Sequence, residues 1–194
     1  MDAFVCPSSE TWNEVASMTR LALLGRDGVI LKVQTGGICS LDEMQIIPGS
    51  LEAIARLNHA GYRVAVTSNQ PALEEGRLDI DTLNAIHARL NELLTRVGGH
   101  LDALLVCPHR GTATCGCHKP DSGLFEEIAH RLEIPLKGVP LFGDDTADVE
   151  AARRIGAQPF LVATGNGRQT HQIHSDLPLF DDLPHAVSEL LDHR

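Results

Sequence analysis

The sequence lacks the features that mark membrane, exported and nucleic-acid-binding proteins. No segment approaches the run of about 18 apolar residues that a membrane helix needs. Residues 1–20 have neither the basic start nor the apolar stretch of a signal peptide. Basic residues are outnumbered by acidic ones, 16 to 26, and the resulting net charge of −10 repels phosphate backbones. We therefore expect a cytoplasmic protein that binds neither membranes nor nucleic acids.

The composition that is present is that of a globular protein. Hydrophobic residues make up 43% of the chain and charged residues 22%, which excludes a disordered chain, a collagen and a coiled coil. A chain of 194 residues is long enough to bury a core without disulfides, and this length favours one domain. We expect that domain to span residues 21–194, and residues 1–20 to form an N-terminal extension that has no place in the pattern described next.

Short apolar segments alternate with amphipathic ones along the chain. The pattern predicts, in chain order, a strand at 21–24, a helix at 50–60, a strand at 62–67, a helix at 79–97, a strand at 101–106, a helix at 122–132, a strand at 139–142, a helix at 147–155, a strand at 159–162 and a helix at 183–191. Such alternation implies right-handed crossovers and a mainly parallel sheet covered on both faces. The predicted fold class is therefore α/β, with three layers around a doubly wound sheet.

Four polar segments follow the predicted strands, at residues 25–28, 67–69, 107–119 and 143–148. In open parallel sheets the ligand site lies outside the carboxyl ends of the strands. We therefore expect these segments, which are distant in sequence, to meet at one crevice.

The third segment holds three of the five cysteines within eleven residues. Cys107, His109, Cys115 and Cys117 supply three thiols and an imidazole, a donor set that suits tetrahedral Zn²⁺ and leaves no open position. In a reducing compartment such crowding favours a metal over a disulfide, so we predict a structural zinc site. The alternative is a loop whose reduced cysteines have no role. His118 follows the last ligand, and we expect it to face the ligand site or solvent.

The fourth segment is a cluster of carboxylates after Gly143. Asp144 directly follows a predicted strand, and a carboxylate there suits a hard cation such as Mg²⁺, which would also bind a substrate phosphate. Asp145 and Asp148 are further candidate ligands. The alternative for these two is that they are acidic residues in the first turn of a helix, where the helix dipole favours them.

Four other polar residues in the expected crevice suit phosphate chemistry. Ser68 and Asn69 offer a hydroxyl and an amide to a phosphoryl oxygen, although, taken on their own, they are better explained by turn formation. Lys119 is a cation that would neutralise phosphate, unless it is simply a solvated loop residue. Asp27 is a candidate general acid–base, and its alternative is an Asp-Gly turn.

These segments, in this order, resemble the haloacid dehalogenase (HAD) superfamily of phosphohydrolases. The sequences Cys107-Pro-His109, Cys115-Gly-Cys117 and His118-Lys119-Pro120 resemble the D-glycero-D-manno-heptose 1,7-bisphosphate phosphatases, which have the histidinol-phosphate phosphatases as close relatives. The similarity runs from about residue 21 to about residue 165. It implies a HAD-like Rossmannoid domain with a zinc-pinned loop and little cap domain, acting as a monomer.

In that family two aspartates, two residues apart, follow the first strand. The first attacks phosphorus to form an aspartyl-phosphate, and the second carries protons to the leaving oxygen and from water. The second position is Asp27 in this chain, but the nucleophile position is Gly25. Removing a nucleophile from other enzymes has cost about 10⁶ in turnover, on the order of 8 kcal/mol. Mg²⁺ binding is expected to weaken as well, because one charged ligand is missing.

The other family positions are partly matched. The resemblance implies that Ser68 and Asn69 hold the phosphoryl group, that Lys119 neutralises its charge and that Asp144 binds Mg²⁺. The family's substrate-contacting Arg before this Lys is replaced by His118, which we carry over as a substrate-phosphate contact.

Further departures lie after Asn69. Pro71-Ala72 stands where the family favours Ser-Gly, and Glu74-Glu75 occupies the stretch where the family has an Arg. The residue after Asp144, often Lys in the family, is Asp145 here. Acidic residues in place of basic ones disfavour a sugar bisphosphate.

Two functions follow from this pattern. The first is a HAD-type phosphatase acting on a sugar phosphate such as heptose 1,7-bisphosphate, strongly impaired or inactive because position 25 is glycine. The alternative is a catalytically dead pseudophosphatase that binds a protein partner or small ligand through a zinc-stabilised scaffold.

Overall fold

The computed structural model describes residues 20–111 and 115–192, which form six strands and six helices. The strands are β1 (Arg20–Gly25), β2 (Tyr62–Asn69), β3 (Ala103–Cys107), β4 (Pro140–Gly143), β5 (Gln158–Val162) and β6 (Leu179–Phe180). The helices are α1 (Ser50–His59), α2 (Ile80–Arg96), α3 (Gly123–Leu132), α4 (Thr146–Ile155), α5 (Gly167–Ile173) and α6 (Leu183–Asp192). Residues 1–19 of the expected extension lie outside the described residues.

Every predicted strand and helix is present, with ends that differ by a few residues. Two elements were missed, α5 and β6. Helix α5 has seven residues of mostly polar character and buries only Gly167 and Thr170, so it lacks an apolar period. Strand β6 has two residues, too few to show any alternation.

The six strands form one sheet in the order β3-β2-β1-β4-β5-β6, and all neighbouring pairs are parallel. Chain order reverses between β1 and β4, which is the switch point where ligands bind in open α/β sheets. The predicted three-layer, doubly wound α/β fold is confirmed.

Alternate residues of the central strand point to opposite faces of the sheet. Ala22 and Leu24 pack in the core that includes α1, α2 and α6, whereas Leu21 and Leu23 pack in the core that includes α3 and α4. The near-continuous apolar sequence of β1 is therefore explained by a strand buried on both faces.

The carboxyl ends of the central strands meet at one edge of the sheet. Gly25 is paired with Thr67, and Asn69 with Cys107, so the polar segments that follow β1, β2 and β3 begin at neighbouring positions. Between β1 and α1, residues 26–49 contain turns and two isolated bridges but no helix or strand, in agreement with the expected minimal cap. Among the described helices, none is long and apolar enough to cross a membrane.

Candidate active site and metal centre

A small cavity of about 70 Å³ lies at the carboxyl ends of β1, β2 and β4. The residues that line it come from all four predicted segments: Arg26, Asp27, Ser68, Asn69, Lys119, Asp144, Asp145 and Asp148. The fold thus brings together the catalytic and magnesium candidates that the sequence places up to 121 residues apart, from Asp27 to Asp148.

Three carboxylates form the acidic wall of this cavity. Oxygen atoms of Asp144, Asp145 and Asp148 lie within 4.8 Å of one another, a spacing that one cation can bridge. Asp144 and Asp148 are buried. Asp145 also begins α4, where its Oδ1 accepts a hydrogen bond of 2.8 Å from the Asp148 backbone N–H. Asp145 therefore caps α4, as the alternative interpretation predicted, and its carboxylate also lies close to that of Asp144.

Two glycine backbones close around the Asp144 carboxylate. Gly28 and Gly165 both have positive φ, and a side chain at either position would collide with Asp144. The Asn166 backbone N–H donates to Asp144 Oδ2 over 2.8 Å. Gly28 therefore serves both the turn after Asp27 and the close approach of that turn to the carboxylate.

Lys119 is the cation that faces this acidic wall. Its Nζ lies 2.6 Å from Asp148 Oδ1, and both side chains are almost fully buried. Burial lowers the pKa of Lys119, but the carboxylates of Asp148, Asp145 and Asp144 outweigh burial, so the net shift is upward and the ammonium stays charged. Lys119 is thus not a solvated loop residue.

One lysine does not neutralise three carboxylates. Burial, and next the charge of Asp148, raises the pKa of Asp144 to about 8. Burial also raises the pKa of Asp148 to about 6, although Lys119 opposes the shift. The raised pKa values show that these carboxylates repel one another when all are ionised. A divalent cation bound between them would offset this repulsion.

Gly25, the last residue of β1, faces this same group. A Cβ atom at position 25 would lie 3.3 Å from Asp148 Oδ2, 3.2 Å from Val29 Cγ2 and 3.7 Å from the Phe142 carbonyl oxygen. The φ of Gly25 is not among the positive values of this chain, so the backbone does not require glycine there. A side chain at this position would point toward the carboxylates, and glycine contributes no atom to them.

Asp27 is held by donors on two sides. Arg26 Nη2 donates to its Oδ1 and Oδ2 over 3.1 and 2.9 Å, and Arg26 Nε donates to Oδ1 over 3.2 Å. Gln70 Nε2 and Ser68 Oγ donate to Oδ2 over 2.9 and 3.2 Å. Its side chain is still 27% exposed toward the cavity. The geometry therefore presents an oriented carboxylate to whatever enters.

Asn69 uses its side-chain amide to hold the chain at Lys119. Its Oδ1 accepts from the Lys119 backbone N–H over 3.0 Å, and its Nδ2 donates to the Lys119 carbonyl over 3.1 Å. These two hydrogen bonds fix the backbone of Lys119, whose side chain carries the buried ammonium group. Direct contact of Asn69 with phosphate stays a prediction.

The sulfur cluster lies beside this cavity, after β3. Donor atoms of Cys107, His109, Cys115 and Cys117 all lie within 4.8 Å of one another. Cys107 Sγ is 3.9 Å from Cys115 Sγ and 3.6 Å from His109 Nδ1. A zinc tetrahedron has edges of roughly 3.8 Å between sulfurs and roughly 3.6 Å between sulfur and nitrogen, so these atoms fit the ion. The Cys117–Cys107 sulfur separation of 3.1 Å is shorter than such an edge.

The thiols of the cluster differ in acidity. Burial raises the pKa of Cys107 to about 12. Although burial opposes it, hydrogen bonds from the backbone N–H groups of Cys117 and His118 lower the pKa of Cys115 to about 7. Backbone N–H groups aimed at a sulfur stabilise a thiolate, which is the form that binds zinc.

His118 does not line the catalytic cavity. Its Nδ1 lies 3.0 Å from the His109 carbonyl oxygen and 3.7 Å from Cys107 Sγ. The ring therefore contacts the sulfur cluster and is half-buried, and it is not among the residues that line the catalytic cavity. Its contact with substrate phosphate stays a prediction.

The acidic pair Glu74-Glu75 contacts the loop after β3 that carries the sulfur cluster. Glu74 Oε2 accepts from the Arg110 backbone N–H over 2.6 Å. Glu75 pairs with Arg77 and lies 3.7 Å from Arg110 Nε. These two residues thus connect the turn after β2 to the loop, a structural role that the sequence did not indicate.

Three side chains around Asp27 were missed from the sequence. They are Arg26, Gln70 and His87, none of which the sequence pattern singled out as a site residue. Gln70 is buried, and its position two residues after Ser68 at a strand end was the only available signal. His87 lies in the middle of α2 and carried none.

The chain is similar to known phosphatases. A family model described as HAD-hydrolase-like matches residues 116–189. The D-glycero-beta-D-manno-heptose-1,7-bisphosphate 7-phosphatase of Bordetella bronchiseptica is 44% identical over 151 residues, which cover 78% of this chain and 84% of the relative. The enzyme of that name from Pseudomonas putida is 41% identical over 174 residues, covering 89% of this chain and 99% of the relative.

A solved structure agrees with these relatives. The crystal structure of D,D-heptose 1,7-bisphosphate phosphatase from B. bronchiseptica, complexed with magnesium and phosphate, superimposes with a TM-score of 0.86 at 40% identity and covers 91% of this chain and 100% of that chain. Fold, cavity and similarity together show that the chain belongs to the D-glycero-beta-D-manno-heptose-1,7-bisphosphate 7-phosphatase family of HAD-like hydrolases.

Proposed function

We propose that this chain binds a sugar phosphate of the heptose bisphosphate kind and hydrolyses it at a strongly reduced rate, because position 25 supplies no nucleophile. The observation that carries the proposal is the geometry at Gly25. A side chain there would point into the carboxylate group beside Asp148, and the rest of that group is in place.

The phosphate-binding part of the site supports binding. Lys119 is a buried, charged ammonium, and Asn69 fixes its backbone. Ser68 Oγ faces the same cavity. Relatives that cover most of this chain are named 7-phosphatases of the heptose bisphosphate, and one of them was solved with magnesium and phosphate. A phosphoryl group held between Ser68 and Lys119 would lie at the end of β1.

Asp27 is the proposed general acid–base. In hydrolysis by a family member, a carboxylate oxygen forms a bond to phosphorus while the bond from phosphorus to the sugar oxygen breaks, and the leaving oxygen takes a proton. Asp27, oriented by Arg26 and Gln70, would supply that proton. Position 25 supplies no carboxylate to form this bond. The residual hydrolysis would therefore need water itself to form the bond to phosphorus while the bond to the sugar oxygen breaks.

Asp144, with Asp148 and Asp145 beside it, is the proposed magnesium ligand. When bound, Mg²⁺ would neutralise charge on the phosphate and on these carboxylates. Without a carboxylate at position 25 its affinity is expected to fall. For the sulfur cluster we propose a structural Zn²⁺, which would fix the loop that leads to Lys119.

A second candidate function is a pseudophosphatase that binds a partner protein or a small ligand. Gly25 favours it, as does the presence of Glu74 and Glu75 where the family has a basic residue. As a location we propose the cytosol, in agreement with the free thiol of Cys39. We also propose that the protein is a monomer.

The test compares this chain with Gly25→Asp and Gly25→Ala. Phosphate release from a panel of sugar phosphates with Mg²⁺ is expected to rise by about 10⁴-fold or more in Gly25→Asp, because the introduced carboxylate supplies the missing nucleophile and ligand. Gly25→Ala adds the Cβ atom without the carboxylate and is expected to stay as slow as the unchanged chain.

The other outcomes separate the two candidate functions. Turnover by the unchanged chain at the rate of Gly25→Asp would overturn the impairment. Failure of both to bind or hydrolyse any sugar phosphate would overturn phosphatase function and favour the binding-protein alternative.

A further inference from the structure

We propose that Arg26 and His87 are positioning residues for Asp27: His87 anchors the Arg26 guanidinium, and the guanidinium orients the carboxylate. The inference rests on the proposed function of Asp27 as the general acid–base. Among the described residues, neither Arg26 nor His87 has a side-chain hydrogen bond to Ser68, Asn69 or Lys119, whereas Arg26 has three to Asp27. Both are therefore proposed to act through Asp27.

Arg26 is a guanidinium with no access to solvent. It is the largest fully buried side chain among the described residues, at 0% exposure. Its Nε and Nη2 donate three hydrogen bonds to the two oxygens of Asp27, a planar fork against a carboxylate. A buried charge of this kind is stable only when it is paired and its N–H groups are satisfied.

The remaining side of the guanidinium is held by His87. Arg26 Nη1 lies 3.0 Å from His87 Nε2, and α2 carries this ring to the site from 61 residues further along the chain. Because a guanidinium only donates, Nε2 must accept, which places the ring proton on Nδ1. Burial, and next the charge of Arg26, lowers the pKa of His87 to about 4, so the ring is neutral and able to accept at neutral pH.

The geometry therefore links a helix of the core to the carboxylate at the cavity. His87 is fixed by the packing of α2, Arg26 by His87, and Asp27 by Arg26 together with Ser68 and Gln70. Loss of the His87 acceptor would free Arg26 to turn, and the Asp27 carboxylate would lose its orientation toward the leaving group. A small misplacement of a general acid costs a large part of its effect.

The rate contribution of a general acid increases with the basicity of the leaving group. Two substrates with different leaving groups therefore test the role of His87. We would measure kcat/KM, which reports formation of the aspartyl-phosphate and not its later hydrolysis by water, in the Gly25→Asp background. The substrates are a sugar phosphate, whose alkoxide must be protonated, and p-nitrophenyl phosphate, whose phenolate leaves unprotonated. His87→Leu is expected to lower kcat/KM on the sugar phosphate by about tenfold or more, and on p-nitrophenyl phosphate by less than about twofold. His87→Gln, whose carbonyl accepts from Arg26, is expected to recover most of the loss.

Two results would overturn the proposal. One is an equal loss on both substrates, which a general structural defect would cause. The other is a Gln variant no better than the Leu variant. His130→Leu, on the exposed face of α3 across the sheet, is the matched control and is expected to change neither rate.

A second measurement does not depend on turnover. In the unchanged chain, the unfolding midpoints of His87→Leu, Asp27→Asn and the double variant form a cycle. Both changes act through Arg26, so the double variant is expected to shift the midpoint by clearly less than the sum of the single shifts. Additive shifts would refute the link, whatever the kinetics show. If Gly25→Asp turns over neither substrate, the proposed function fails, and this cycle decides the inference by itself.

Discussion

The two candidate metal-binding clusters of this protein are built in different ways. The sulfur cluster of Cys107, His109, Cys115 and Cys117 comes from one loop of eleven residues. The carboxylate cluster of Asp144, Asp145 and Asp148 comes from the end of β4 and the start of α4, and it depends on groups from other strand ends for its charge and completeness. The donors of the sulfur cluster thus come from one stretch of chain. The active site that contains the carboxylate cluster is instead distributed over several strand ends, and it lacks the carboxylate that the family has at position 25.

This difference explains how a nucleophile can be absent while the rest of the site is intact. Lys119 balances Asp148 from a segment after β3, and Arg26 balances Asp27 within the turn after β1. Neither pair needs a carboxylate at position 25. In a distributed site each part has its own structural partners, so the loss of one part leaves the others in place.

Removal of zinc is the largest expected effect, because it breaks the complete cluster. We expect one zinc per chain, and we expect a chelator or Cys107→Ser to lower the thermal midpoint by roughly 6–12 °C, the shift that about 3 kcal/mol produces in a domain of this size. The measurement is zinc content by elemental analysis together with thermal unfolding.

Cys39→Ser is the matched control for the zinc experiment. Cys39 is a half-buried free thiol outside the cluster, beside Arg77. It is expected to leave zinc content unchanged. Protein that contains no zinc, or that keeps its midpoint in chelator, would contradict the structural role.

The carboxylate cluster gives the second effect, a dependence of stability on pH. In metal-free protein the folded state keeps a proton on Asp144 up to a pKa of about 8, whereas the unfolded chain loses it near its ordinary 3.8. The folded state binds more protons in that window, so stability falls as pH rises from about 4 to about 8, by up to about 1.4 kcal/mol per unit. Asp144→Asn is therefore expected to stabilise metal-free protein at pH 8, by an amount on the order of 2 kcal/mol.

Magnesium sharpens this second test. Mg²⁺ binds the ionised carboxylates, so it is expected to restore stability at pH 8 in the unchanged chain but not in Asp144→Asn. Asp181→Asn, at a side chain that is 82% exposed, is the control and is expected to follow the unchanged chain. If Asp144→Asn also showed the same midpoints from pH 4 to pH 8 as the unchanged chain, Asp144 would not be the titrating group.

The contrast between local and distributed sites also separates what the sequence predicted from what it did not. The sulfur ligands and the strand-end motifs were predictable, because metal spacing and apolar runs are visible within a few residues. The contact of Arg26 with His87 joins residues 61 positions apart, and its donor lies in a turn and its acceptor in a helix. No spacing rule connects them, since the distance depends on how α2 packs against the sheet.

Orientation was the second limit of the sequence. His118 and Asn69 were placed in the correct segments at the strand ends. The side chain of His118 contacts the loop of the sulfur cluster, and that of Asn69 contacts the Lys119 backbone. Residue type and spacing predict which segment a side chain belongs to. Its direction depends on which buried polar groups need a partner.

The smallest effect concerns the contact that ties the sulfur cluster to the rest of the domain. Glu74 accepts a hydrogen bond from the Arg110 backbone N–H, and no other side chain among the described residues accepts from that N–H group. Because Glu74 is exposed, Glu74→Ala is expected to change stability by less than about 1 kcal/mol. It is expected to speed zinc loss to a chelator by a few-fold, since the loop opens more often once this hydrogen bond is removed.

Glu92→Ala, which breaks exposed ion pairs on α2 away from the loop, is the control and is expected to leave zinc loss unchanged. Equal zinc-loss rates in both variants would mean that the four ligands alone hold the loop, and that the sulfur cluster is as independent of its surroundings as its sequence is local.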